Sequence, residues 1–276
     1  MVPVSLRGAV FAPKQSPDRK LEIASQTTLA MTPRILGDSM LLAIDTATRT
    51  ASIALYDAAG VHAELTWRSR ENHTVELMTQ VTRVLELAHV AKEDLQAIGV
   101  ALGPGSFTGL RVGMSVAKGL VFARQIPLLA IPTLDAIAHA HAQQTLPIWA
   151  ILAAGRGRYS VAQYTAKRSA IKRVSNYALV DAAGLIDLVT RALDGESKSA
   201  RALFCGDLEP ALARALTEQC GARALVASPA RNARRAAFLA ELAWARFQRG
   251  ESDDPRALAP MYLPHESVEG AAESKK

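Results

Sequence analysis

Cysteine is scarce: only Cys205 and Cys220 occur in 276 residues. Two thiols build neither a disulfide framework nor a four-ligand zinc site, so a reducing cytoplasm is the expected setting. Long apolar runs are missing as well. The best stretch, 120–131, is broken by Arg124, Gln125 and Pro127 and falls short of the ~20 residues that cross a bilayer. The apolar patch at 9–12 is too short for the core of a signal peptide. Histidine is sparse, and none of the six residues pairs with another at i, i+3 or i, i+4, the spacing that sets two metal ligands on one helix face. His139 and His141 are two apart and lie on different sides of a helix. Neither a Gly-x-Ser-x-Gly elbow nor a Gly-Lys-Ser/Thr phosphate loop is present, which removes two common nucleophile and nucleotide devices. What remains is an ordinary globular composition, 49% hydrophobic and 21% charged, with a formal charge of +6.

Residues 1–39 carry four prolines and no sustained periodicity, and read as a disordered leader, with Met40 or Met31 the expected natural start. From Met40 the pattern predicts strands at 41–46, 51–57 and 61–67, a helix at 72–89, a strand at 95–102 and a helix at 108–124. A strand at 127–131 and a helix at 133–144 follow. A three-strand meander leading into alternating helices and strands is a mixed α/β sheet, in the order of a ribonuclease-H-like, actin-type half. Pro147 opens a second unit with strands near 148–153 and 158–165 and helices near 181–193, 207–219 and 232–249. The expected plan is an actin-like, two-lobed α/β fold: one lobe over 40–146, a diverged second over 147–263, and a loose tail over 264–276.

The most distinctive run is Gly103-Pro104-Gly105-Ser106-Phe107-Thr108-Gly109, at a strand-to-helix junction. Glycines allow close backbone approach, and free amides at a helix start favour anions. Gly103, Gly105, Ser106 and Thr108 are therefore candidate phosphate contacts; the alternative is a tight turn in which Ser106 or Thr108 caps the helix. In the next helix Gly109, Gly113 and Ala117 recur at every fourth position, although each interior glycine costs roughly 0.5–1 kcal/mol. Something approaches that stripe closely, either an internal neighbour or another subunit. The preceding helix shows a wide apolar face with Val75, Met78, Val81 and Leu85, and the two helices together are the candidate partner surface. The hairpin around Asp45, Thr46 and Thr48 occupies the place where actin-type kinases hold nucleotide phosphates and metal. Ala47 stands where those proteins usually have glycine, and a hydrogen-bonded turn is the alternative.

The runs 42–48, 103–113 and 117–120, with Ile131-Pro132-Thr133-Leu134-Asp135, closely resemble the bacterial TsaB (YeaZ) family. His73-Thr74 sits where the family has His-Ser. The likeness is strong over 40–142, weak over 148–250, and returns faintly at 260–263. It implies an actin-like, two-lobed, cytoplasmic protein that supports formation of N6-threonylcarbamoyladenosine (t6A) at position 37 of tRNAs reading ANN codons. The implied partners are the catalytic paralogue TsaD, joined through helices of the first lobe, the ATPase TsaE, and a second copy of the chain. No cofactor is implied for this chain alone; ATP and a metal ion are implied for the partner complex. The metal-binding His-x-x-x-His pair of TsaD falls on Thr133 and Ile137, so the resemblance implies a non-catalytic subunit. The competing readings are an actin-type ATPase or phosphotransferase using Asp45 and a glycoprotease-like metallopeptidase. One departure lies in 153–160, where Ala153 and Arg158 replace acidic residues of the family's second-lobe hairpin.

Charge is unevenly placed. Residues 40–149 carry eight basic and nine acidic groups, whereas 150–250 carry sixteen and eight. The basic excess sits in the second half, and no RNA-binding aromatic signature accompanies it. It reads either as a phosphate-facing surface or as a solvated helical one.

Overall fold

A computed structural model describes residues 39–69, 73–196 and 199–263. The leader expected before Ser39 and the tail expected at 264–276 lie outside the described residues. β1 (Met40–Asp45) is buried at all six positions, as a central strand covered on both faces must be. β2 (Thr50–Asp57) and β3 (Gly60–Arg68) continue it as an antiparallel meander. α1 (His73–Leu87) leads to β4 (Leu95–Gly103), and α2 (Phe107–Arg124) leads to β5 (Leu128–Pro132); these two strands extend the sheet in parallel. The order is β3-β2-β1-β4-β5.

α3 (Thr133–His139) leads to the second sheet, built from β6 (Ile148–Gly155), β7 (Arg158–Lys167), β8 (Ala170–Arg173), β10 (Ala202–Gly206) and β11 (Ala224–Val226). Its order, β11-β10-β6-β7-β8, repeats the first: a meander of three, then two parallel strands beside its first member. This duplication is the two-lobed α/β plan. A further strand, β9 (Ala178–Asp181), pairs with the other end of β7. α4 (Ala182–Asp194) and α5 (Pro210–Cys220) cover one face of this sheet. Asp181 caps α4 by accepting the Gly184 amide at 2.8 Å.

Each lobe borrows a helix from the other. α3 lays Leu134 and Ala138 on the second sheet, beside Ile148, Ala150 and Tyr164. α6 (Ala236–Gln248) returns to the first sheet, where Ala236, Leu239, Ala240 and Ala243 meet Leu41, Ala43, Ala97 and Leu129. Small residues set that approach: a Cβ on Gly99 would lie 2.9 Å from that of Ala243. α1 and α2 cover the opposite face through Leu77, Val81, Val84, Met114 and Val121. The expected division at 147–263 is corrected on this point. α6 belongs to the first core, and the backbone at Met261 bonds back to Leu102 at 2.8 Å. α3 also stops at His139 rather than 144. Among the described residues, no helix is long and apolar enough to cross a membrane.

Candidate functional site

The hairpin and the glycine loop, expected as phosphate contacts, are packed against each other. Ser106 N donates to Ala47 O at 2.7 Å, and a Cβ on Gly105 would collide with that same carbonyl. Gly103 has φ +113°, and a Cβ there would strike the Met261 carbonyl. Only glycine meets both demands at this turn. Ser106 Oγ accepts the Gly109 amide at 3.3 Å and so caps α2, a contact of about 1 kcal/mol. Thr46 Oγ1 donates to Gly109 O at 2.7 Å, and Thr48 Oγ1 donates to Thr50 O at 3.0 Å. Thr108 is elsewhere, in a groove on the outer side of α2 with Phe107 and Arg111.

Asp45 is buried, with Oδ1 accepting the Ala47 amide at 3.0 Å and Oδ2 taking a short hydrogen bond and ion pair from Arg234 Nη2. Arg234 is buried too, and its Nε and Nη1 have no partner among the described residues. The guanidinium therefore lies where a divalent cation on Asp45 would have to sit. This donor set does not fit metal or magnesium-nucleotide binding at Asp45, because a cation would first have to evict Arg234 and leave it buried. Asp207, in the cleft between the lobes, has a carboxyl raised by burial and partly drawn back down by Arg234. That cleft, about 640 Å³, is lined by Thr48, Arg49, Arg68, Gly105 and Ser106 from one side and Ala153, Ala154 and Asp207 from the other. Sequence reading missed Arg234 and Asp207: the ion pair joins residues 189 apart, and no local pattern announces it.

The expected partner surface divides in two. Gly109, Gly113 and Ala117 are buried, and a Cβ on Gly113 would run into Thr46 Oγ1, with Ile44 just behind. The small-residue stripe is thus spent on β1 within the chain. That corrects its assignment as an exposed interface. Val81 is likewise buried in the core, and Leu85 half-buried against it. The large apolar groups exposed on these two helices are Val75 (63%), Met78 (45%), Leu87 (62%), Phe107 (54%) and Phe122 (52%). Arg111 lies 3.7 Å over the Phe107 ring, whose other neighbour, Tyr262, is 5.3 Å away.

Among the described residues, no group of three His, Cys, Asp or Glu is placed to hold a metal. Ile137 on α3 packs against the second core, and Thr133, the first residue of α3, is buried. Beside them, Asp135 Oδ1 accepts hydrogen bonds from Tyr164 (2.7 Å) and Tyr177 (2.9 Å) and so ties α3 to β7. Burial, reinforced by the Asp135 charge, pushes both phenols up, Tyr177 to about 12. The unfolded chain releases these protons near pH 10 while the folded chain retains them. Stability should therefore hold below pH 10 and fall as pH rises toward 12. Urea midpoints across that range should fall less steeply for Tyr177→Phe; an unchanged slope would acquit this network.

A family model for TsaD, tRNA N6-adenosine threonylcarbamoyltransferase, matches residues 42–267. The chain is 30% identical over 223 residues to the tRNA threonylcarbamoyladenosine biosynthesis protein TsaB of Bacillus subtilis (strain 168), covering 81% of this chain and 93% of that one. It is 37% identical to the protein of the same name from Escherichia coli (strain K12), but over 98 residues, 36% of this chain and 42% of that relative. The solved structure of YeaZ from Pseudomonas aeruginosa is similar with a TM-score of 0.66 at 24% identity, over 82% of this chain and 100% of that one.

Proposed function

Because the chain belongs to the TsaB (YeaZ) family, we propose that it is the non-catalytic subunit that holds TsaD during t6A formation on tRNA. The observation that carries this reading is the outer side of α1 and α2. Met78 on α1 and Phe107 and Phe122 at the two ends of the neighbouring α2 stand about half exposed, and large apolar side chains left in water on adjoining helices are what a protein partner covers. In this reading TsaE joins the assembly, ATP and the metal ion belong to the partners, and the setting is the cytoplasm. A second copy of the chain uses the same face and competes with TsaD for it. Asp45 supports the non-catalytic role, because its carboxylate is committed to Arg234.

The test is replacement of a bacterium's own TsaB by this chain together with its cognate TsaD. Nucleoside mass spectrometry should show t6A restored, and TsaD should co-elute with the chain in gel filtration. A folded chain that neither restores t6A nor retains TsaD would overturn the reading.

A further inference from the structure

We propose that the β7–β8 hairpin is a docking element for the phosphate backbone of RNA. Between residues 136 and 180 the chain contains no aspartate or glutamate, and six lysines and arginines. Four of these, Lys167, Arg168, Lys172 and Arg173, fall within seven residues around the hairpin turn. In the register Lys167 faces Ala170 and Lys172 faces Thr165. Both lysines therefore project from one face of the ribbon, as diagonal neighbours ~7–8 Å apart at Cβ, with Arg168 at the turn between them. All three are exposed, and among the described residues none pairs with a carboxylate. The cations thus stand unneutralised on a firm support. The opposite face of the ribbon is rooted in the second core through Tyr164, Ala166 and Ile171, and Arg173 is stacked 3.9 Å over Tyr177.

Such an array suits closely spaced phosphates. Each phosphate neutralised releases bound counterions, which makes the interaction strong at low salt and steeply salt-dependent. No aromatic ring on the hairpin is free to stack on a base, because Tyr164 is buried and Tyr177 lies under Arg173. The contact therefore reads backbone and shape rather than sequence. The choice of RNA rests on the tRNA-modifying role proposed above. The hairpin lies on the second lobe, away from α1 and α2, so both surfaces can be engaged together.

The experiment is fluorescence anisotropy of a labelled tRNA transcript titrated with the full chain over a series of salt concentrations. The triple variant Lys167→Gln/Arg168→Gln/Lys172→Gln should bind ~10-fold or more weakly than wild type. Its plot of log affinity against log salt should be flatter by about 2–3, roughly 0.7–0.9 per lost phosphate contact. The control Arg201→Gln/Arg214→Gln/Arg256→Gln removes equal charge from exposed positions elsewhere and should keep most of the affinity. Equal losses in both variants, no loss in the hairpin variant, or no tRNA binding by wild type would overturn the proposal. So would hairpin-dependent binding to phosphatidylglycerol vesicles without binding to tRNA. The t6A assay separates the two claims. If wild type restores no t6A yet loses tRNA affinity through the hairpin substitutions, the subunit reading fails and this one stands.

Discussion

Asp45→Ala is expected to lower unfolding stability by about 3–5 kcal/mol, the usual cost of removing one member of a buried ion pair. The remaining Arg234 would keep a buried charge whose Nε and Nη1 already lack partners among the described residues. The cost should be far smaller for Asp45→Leu combined with Arg234→Met, because replacing both ions by apolar groups removes the uncompensated charge. Urea denaturation of the three proteins measures the difference. If the double variant is as unstable as Asp45→Ala, the pair is not the source of the effect, and the lost Ala47 amide contact is. The same variants address the competing activity. ATP turnover by the purified chain that Asp45→Ala abolishes, in protein still folded, would make Asp45 a catalytic residue and displace the subunit reading.

Met78→Asp combined with Phe122→Asp should leave the chain folded and weaken TsaD binding by about 100-fold or more, as charge introduced among buried interface anchors does. Both side chains are already about half in water, so the unbound chain loses little. Gly113→Leu should do the reverse. Its side chain would be driven into Thr46 and Ile44, and overpacking of this kind costs about 1–3 kcal/mol or more. Loss of TsaD binding in Gly113→Leu would therefore report a damaged lobe and not a missing contact. Calorimetric titration of TsaD, with a thermal melt of each variant, separates the two effects. Unchanged TsaD affinity in the Met78/Phe122 variant would move the partner surface elsewhere.

The first lobe was legible because its signals are local. A fully apolar central strand, the turn at 47–50 and the glycine loop each declare themselves within a few residues. The second lobe was legible only in part. β8, β9 and β11 have only three or four residues each, too few to show a period. The site was harder still. Gly109, Gly113 and Ala117 announced a close approach, but the pattern is the same whether the neighbour is β1 or another subunit. Val81 and Met78 share an apolar face by spacing, yet Val81 is buried in the core and Met78 stands half exposed, a division that spacing alone does not show. Arg234 gives no hint that it answers Asp45, since the link between them exists only once both lobes have formed.

The exchange of α3 and α6 between the lobes also bears on how the protein is made. The first sheet emerges from the ribosome early, yet the helix that covers its Leu41, Ala43 and Leu129 face is synthesised after the whole second sheet. Until then that face is covered only in part, by Ala136 of α3 and Leu110 of α2, and the rest must be shielded by transient collapse or a chaperone. The last helix among the described residues in turn joins the chain beyond the second sheet to the first sheet in one cooperative unit. An amino-terminal fragment ending before Pro147 would be a sheet with one oily side partly open rather than a smaller version of the protein.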